Sequence, residues 1–318
     1  LRRQVVDESL FSLLLSRGRF PTNDVAASGC NAMFALARTA GDSSNNRGTE
    51  RIRRQALVAA GACDVVAKVF LKYGEDPDVV RAAMKVVVVL GEGRNPETAA
   101  VAGKLALLGA CSAVVDALAT FPTHGSLVKW ALRAAAVLLS HGVASKPNAR
   151  WLVHEGVCEV LPGAVLANQA DPAVAAAGCD VLTSLAMDHA ARLGHAGNCE
   201  TVVCALSLHC RDSEVCERAA KAIGNLALSK GCKNFLGPAG ACEALLQSVH
   251  KTTDSAALAA VVWLAVANLC TSHEGNCHRF GPPACTKVVH SLHTHLHHPA
   301  AARATALAIS KLIERSPY

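Results

Sequence analysis

Apolar residues recur along this chain at the three- and four-residue spacing of helices, and the alternation typical of strands is hard to find. Turn signals separate the helical stretches, for example Asp76-Pro77 and Asp171-Pro172. Asp is favoured at a helix N-cap because its side chain accepts hydrogen bonds from free backbone N–H groups, and Pro suits the first helical position. The pattern predicts an all-α protein.

The pattern also repeats itself. A small residue, another residue and then Cys stand near the start of one helix in each repeat, at steps of 41 to 48 residues. These cysteines form one series of repeated positions. A second series, made of leucines, follows Ala-rich sequence and is out of phase with the cysteines. The cysteines are Cys63, Cys111, Cys158, Cys199, Cys242 and Cys285, and the leucines are Leu185, Leu226, Leu269 and Leu312. Each repeat is therefore predicted to contain a short first helix, a second helix beginning near the Cys, a tight turn and a longer third helix.

The composition suits closely packed helices. Apolar residues make up 51% of the chain but aromatic residues only 4%, so the interior must consist mainly of Ala, Val, Leu and Cys. A chain of 318 residues would ordinarily suggest about two globular domains. A repeat array can form one longer domain, because each unit buries its apolar face only against its neighbours.

The sequence of residues 231–272 closely resembles that of the armadillo repeat family. The matching residues are Asn234, Gly240-Ala241, Leu245-Leu246, Asp254-Ser255, Ala259-Ala260 and Asn268-Leu269, and the stretch from Ala219-Ala220 to Asn225-Leu226-Ala227 repeats the ending. The resemblance covers essentially the whole chain. It implies a right-handed α-solenoid, or superhelix, of about six to seven three-helix repeats. HEAT repeats, which have two helices at a similar period, are the alternative.

We expect one armadillo-repeat domain over residues 1–318. Its approximate units are 1–40, 50–93, 94–142, 146–189, 190–230, 231–274 and 275–318. The early units are longer, and the polar segment 39–50 lacks periodicity, so it is predicted to be a surface loop.

No motif for catalysis is present: the chain lacks a phosphate-binding Gly loop, a zinc-protease helix and a nucleophile elbow. We therefore predict that it is not an enzyme and needs no cofactor. Two clusters leave metal or redox chemistry open, although core packing and a solvated helix end explain them as well. They are Cys199, Cys204, Cys210 and Cys216, and His290, His293, His295, His297 and His298.

Charge and cysteine content indicate which partners and which cellular compartment to expect. The net charge of +6 is modest, and the basic run at Arg51, Arg53 and Arg54 suits a solvated helix face, so no nucleic acid is expected. Fourteen cysteines without a secreted framework favour free thiols in the cytoplasm, a reducing compartment. The uncharged stretch 255–272 contains Asn268 and lies in an ordinary repeat position, so no membrane span is expected.

The resemblance also implies a binding site. In armadillo proteins an Asn near the end of the third helix faces a concave groove and hydrogen-bonds a bound peptide's backbone, and Asn225 and Asn268 match that position. Lys221 and Arg218 precede Asn225 on the same face, where they would make the groove basic or serve as ordinary surface charge. Leu264 would form an apolar floor before Asn268. The alternative for the two amides is that they bond carbonyls within the solenoid.

These observations predict a non-enzymatic adaptor or scaffold that holds a partner protein, as an extended peptide segment or a helix, in the groove lined by third helices. A cytoskeletal assembly is one such setting. The alternative is a regulatory armadillo region of a larger multidomain enzyme or signalling protein, which the missing initial Met leaves open. Importin-α-like receptors carry Trp where this chain has Lys221 and Leu264, so a nuclear-import receptor is not expected.

Overall fold

The structure is a computed structural model that describes residues 22–38, 46–93, 95–140, 142–250 and 255–314. These residues form seventeen helices and no strands, which confirms the all-α prediction. The chain divides into two compact units, Leu1–Val157 and Cys158–Tyr318, and each is described by itself.

The first unit contains eight helices. They are α1 (Asn23–Ala37), α2 (Asn46–Ala59), α3 (Ala62–Tyr73), α4 (Pro77–Gly91), α5 (Pro96–Leu107), α6 (Ala110–Thr120), α7 (Gly125–Leu139) and α8 (Gly142–Glu155). Most of the predicted loop 39–50 lies outside the described residues. Its end is helical rather than a loop, because α2 already begins at Asn46 and Glu50 pairs with Arg54 one turn later.

The second unit contains the other nine helices. They are α9 (Val157–Ala167), α10 (Pro172–His195), α11 (Asn198–Leu208), α12 (Ser213–Leu226), α13 (Lys230–Leu236), α14 (Ala241–Ser248), α15 (Ala256–Cys270), α16 (Glu274–Thr294) and α17 (Pro299–Ile313). The backbone is non-helical at His189 in α10 and at Gly281 in α16. Each of these long helices therefore joins two elements of the repeat across a kink.

The helices begin where the turn signals predict. Asp76, Asp171, Asp212 and Ser255 are N-caps, and each side chain accepts a hydrogen bond from a backbone N–H of the first turn. The glycine of the Gly-x-Cys motif also has a structural reason. At Gly61, Gly109, Gly156, Gly197 and Gly240, φ lies between 82° and 102°, a left-handed conformation that favours glycine. This conformation turns the chain sharply from a first helix into a second.

The two sequence series lie mostly in the core. Five of the six motif cysteines and all four leucines of the second series are buried, and the exception is Cys285, which is exposed. Third helices pack side by side, α1 against α4 and α4 against α7 in the first unit. In the second unit α10 packs against α12, α12 against α15, and α15 against α17. Each unit thus presents a row of third helices with one face turned away from the second helices.

Candidate partner-binding surfaces

The predicted amides lie on neighbouring third helices of the second unit, Asn225 on α12 and Asn268 on α15. Both are half-buried. The Nδ2 of Asn225 donates to the carbonyl oxygen of Thr183 at 3.1 Å, and that of Asn268 donates to the carbonyl oxygen of Gly224 at 3.0 Å. Each bond ties a third helix to the third helix before it.

These bonds use only part of each amide. A carboxamide offers two N–H donors and a carbonyl oxygen with two lone pairs. Within the described part of the chain, the side-chain amide of neither Asn225 nor Asn268 forms another hydrogen bond. One N–H of each amide therefore bonds a carbonyl within the solenoid, which is the alternative to binding a peptide. The second N–H and the oxygen keep the capacity to pair with an extended chain.

Arg218, on α12, has its charge matched within the protein. It forms ion pairs with Asp180 on α10 and with Glu214 one turn earlier on its own helix, the latter at 2.6 Å. Burial raises the pKa of Asp180 above its ordinary value, against the opposing effect of the Arg218 and Lys221 charges. The second unit is consequently less basic at this surface than the sequence alone suggests.

Lys221 and Leu264 are both exposed on this surface, Leu264 to 46%. Leu264 therefore presents an apolar side chain one turn before Asn268. Together the two amides, Lys221, Leu264 and the paired Arg218 form a surface that we call the amide face of the second unit.

A different cluster, which the sequence did not reveal, lies on the third helices of the first unit. The rings of Phe34 on α1 and Trp130 on α7 meet edge to face with centroids 5.6 Å apart. The Nζ of Lys85, on α4 between them, lies 5.8 Å from each ring centroid. The guanidinium carbon of Arg38 lies 5.5 Å from the Phe34 ring, and that of Arg133 lies 4.6 Å from the Trp130 ring. These five residues form a row of alternating cations and rings, the cation–aromatic cluster.

The cations of this cluster have little internal compensation. Within the described ranges, Arg38, Lys85 and Arg133 form no ion pair, and the Nζ of Lys85 donates only a long hydrogen bond, 3.4 Å, to the amide oxygen of Asn31. Burial and then the nearby Arg81 charge lower the pKa of Lys85 below its ordinary value. The surface is therefore electropositive, and its charge is held in place by π faces rather than by carboxylates.

The amino-acid sequence of this chain matches no protein-family model and no curated protein. An engineered protein of the Northeast Structural Genomics Consortium superimposes with a TM-score of 0.64 and 19% identity, covering 83% of this chain and 97% of that one. A designed armadillo repeat protein in complex with the peptide (KR)4 superimposes with a TM-score of 0.61 and 20% identity, covering 81% and 99%. The chain has an armadillo-type repeat fold.

The armadillo resemblance drawn from the sequence is thus confirmed at the level of the fold. The structural neighbours support the three-helix armadillo repeat rather than the two-helix HEAT repeat. Not every third helix carries Asn at this position. Ser184 and Lys311 stand where Asn225 and Asn268 do. Ser184 donates its hydroxyl to a carbonyl of its own helix, and Lys311 pairs with Glu314 in the last turn of α17.

Trp263 is a core residue of this armadillo fold. Its ring is fully buried in α15, and its Nε1 donates to the hydroxyl of Ser291 at 2.8 Å. A buried Trp usually finds such a partner for its N–H. Trp263 therefore contributes to packing and does not line the amide face.

Only some side chains of the Cys and His clusters lie in the core. Cys199 and Cys216 are buried, and the Cys216 thiol lies 3.2 Å from the carbonyl oxygen of Cys210. His295 is buried at the end of α16, whereas the other four histidines of its cluster are exposed. Among the described residues, no group of three or more His, Cys, Asp or Glu is arranged to hold a metal ion.

No single described helix is long and apolar enough to cross a membrane, although Pro96–Leu107 and Ala110–Thr120, bent by 64°, reach that length and composition as a pair.

Proposed function

We propose that this chain is a non-enzymatic protein-binding scaffold whose third helices hold a segment of a partner protein. The observation that carries the proposal is the amide face. Asn225 and Asn268 occupy equivalent positions on adjacent third helices, and each keeps an N–H and a carbonyl oxygen that an extended main chain can pair with. An extended peptide gains affinity from such main-chain bonds and specificity from neighbouring side chains.

The rest of the amide face supplies that specificity. Leu264 offers an apolar contact beside Asn268, and Lys221 offers an exposed positive charge beside Asn225. The likeness to a designed armadillo repeat protein bound to a peptide supports binding rather than catalysis as the use of this fold. We assign the same role to the third-helix surface of this chain.

We also propose a reducing compartment, the cytoplasm, as its location. All fourteen cysteines are free, and eleven of them are buried. Burial raises the pKa of the Cys30 and Cys111 thiols to about 12, so these side chains stay protonated and pack as small apolar groups. A fold whose core depends on many such thiols is suited to a compartment that keeps them reduced.

The test is a peptide-display selection on purified wild-type protein, followed by fluorescence anisotropy with the selected peptides. The double variant Asn225→Ala/Asn268→Ala should bind them at least tenfold more weakly, because both main-chain contacts are lost. Asn168→Ala is the matched control. Asn168 is also a half-buried amide bonded to a backbone carbonyl, but it follows the second helix α9.

Folding must be separated from binding in this test. Each Asn→Ala change removes one hydrogen bond between third helices and should cost about 1 kcal/mol of unfolding free energy. Urea unfolding followed by circular dichroism measures that cost. If the folded double variant binds the selected peptides as well as the wild type does, the amide face is not the binding site.

A further inference from the structure

We propose that the cation–aromatic cluster of the first unit binds an acidic peptide segment of a partner protein, through carboxylates that pair with Arg38, Lys85 and Arg133. This inference rests on the proposed scaffold function and adds a second surface with its own partner chemistry.

The positive charge of the cluster is concentrated and uncompensated. Three cations lie within 6 Å of two touching rings, and within the part of the chain that the structure describes none of them has a carboxylate partner. Arg81, one turn before Lys85, adds a fourth positive charge, although its NH2 group pairs with Asp78 at 2.6 Å. The Nε of Arg81 is buried without a hydrogen-bond partner among the described residues. The site therefore holds more donors and more positive charge than the protein itself satisfies.

Lys85 shows that the site favours an incoming negative charge. Its ammonium group is partly removed from water and faces the Arg81 charge, and both effects disfavour its charged form. A carboxylate beside Lys85 would offset both penalties at once. Charge-assisted hydrogen bonds of this kind are shorter and about twice as strong as neutral ones.

The rings explain why the partner is a peptide rather than a nucleic acid. Proteins that bind single-stranded nucleic acid stack bases on open aromatic faces. Here Phe34 and Trp130 already contact each other and the three cations, so the rings act as supports that hold the cations in position. A row of supported cations on adjacent third helices fits carboxylates spaced along an extended chain.

The second unit provides the internal contrast. Arg218 also lies on a third helix, but Asp180 and Glu214 already neutralise it. An acidic segment would have to displace those carboxylates to reach it. Charge complementarity therefore directs an acidic segment to the first unit.

The experiment uses the full chain and fluorescein-labelled (Glu-Ser)4, in which an extended conformation places four carboxylates on one side. Anisotropy at low salt should show at least tenfold tighter binding of this peptide than of neutral (Gln-Ser)4 or basic (Lys-Ser)4. Arg133→Glu, at an exposed position, should weaken (Glu-Ser)4 binding at least tenfold, and Arg133→Gln should weaken it by a smaller factor. Circular dichroism melts confirm that both variants are folded.

Two matched charge reversals locate the site. Arg303→Glu lies on α17, a third helix of the second unit, and Arg150→Glu lies on the first helix α8. Both variants should leave (Glu-Ser)4 binding within twofold of wild type. Three results would overturn the inference: equal binding of (Glu-Ser)4 and (Gln-Ser)4, no effect of Arg133→Glu, or tighter binding of an oligothymidylate of the same charge. Loss of binding in Arg303→Glu alone would also overturn it, but would leave the proposed scaffold function intact.

Discussion

The two units use the same helix position for different chemistry. The ninth residue after the N-cap of a third helix is Lys85 or Arg133 in the first unit, and Lys221 or Leu264 in the second. In the first unit these cations contact aromatic rings and have no carboxylate partner among the described residues. In the second unit the surface consists of amides, an exposed leucine, Lys221 and an arginine, Arg218, whose charge is already paired.

The difference shows what the repeat determines and what it leaves free. The buried positions of each third helix are fixed by packing against adjacent third helices and against the second helices. The outward positions are not, so one architecture can carry an electropositive surface and a largely neutral one. We expect each surface to select its own partner segment.

The two tryptophans of the third helices should respond very differently to removal. Trp263→Ala empties a fully buried site and removes the bond to Ser291, so it should lower the unfolding free energy by about 3–5 kcal/mol. Urea unfolding measures the loss. A cost below about 1 kcal/mol would contradict the core role of Trp263.

Trp130→Ala should act mainly on binding. The ring is half-buried, and the loss of its contact with Phe34 should cost about 1 kcal/mol of stability. Lys85 and Arg133 lose their support, so affinity for (Glu-Ser)4 should fall at least tenfold. Trp151→Ala, on the first helix α8, is the control for loss of an exposed Trp. Unchanged affinity of a folded Trp130→Ala protein for (Glu-Ser)4 would show that the Trp130 ring does not contribute to the proposed site.

Asp76 in the first unit and Asp180 in the second should contribute to stability with opposite pH dependence. Although burial acts against it, hydrogen bonds from Val79, Asn23 and Asp78 hold the pKa of Asp76 below its ordinary value of 3.8. The N-cap stabilisation by Asp76 is therefore present above that value and is lost as the pH falls through the lowered pKa. Asp76→Ala should cost about 1 kcal/mol at pH 7 and progressively less in acid.

Asp180 behaves in the reverse way, because burial raises its pKa. The contribution of Asp180 to the free energy of unfolding is most favourable at a pH below its ordinary pKa of 3.8, and it declines as the pH rises through the raised pKa. Asp180→Asn should therefore remove a contribution that the wild type gains on acidification. Urea unfolding between pH 3 and pH 7 measures both variants, and parallel pH profiles for the two would contradict the assignment.

The smallest effect should come from making the second unit resemble the first. Asp180→Asn removes one of the two carboxylates that neutralise Arg218, so affinity for (Glu-Ser)4 should rise about threefold at low salt. The gain should disappear in the double variant Asp180→Asn/Arg218→Gln. A gain of the same size in that double variant would show that Arg218 is not its source.

Much of the fold could be predicted from local signals. The N-caps at Asp76, Asp171 and Asp212 and the glycine before each second helix act within a few residues, so the sequence contains them directly. At His189 and Gly281 the backbone is non-helical, so α10 and α16 each contain two elements of the repeat rather than one continuous helix.

The candidate sites depend on contacts between repeats, which sequence reasoning predicts poorly. The equivalence of Asn225 and Asn268 was visible as a motif, but their bonds to Thr183 and Gly224 depend on how adjacent third helices pack. The Arg218–Asp180 pair likewise joins residues 38 positions apart.

The cation–aromatic cluster was missed for the same reason. Phe34 and Trp130 come from different repeats, and their contact exists only because α1, α4 and α7 lie side by side. A signal was nevertheless present in the sequence. Trp130 is one of three tryptophans in a chain with few aromatic residues, and Arg133 lies one helical turn beyond it.

The most direct test of the central claim, that partners bind on the third-helix surface, is fluorine NMR of protein labelled with 5-fluorotryptophan. The three tryptophans report on three places: Trp130 on the cation–aromatic cluster, Trp151 on an exposed first helix, and Trp263 in the core. Single Trp→Phe variants assign the three resonances. On titration with (Glu-Ser)4, the account predicts that the Trp130 resonance shifts while the other two stay in place. A shift of Trp151 with Trp130 unmoved would place binding on the first helices and contradict the account.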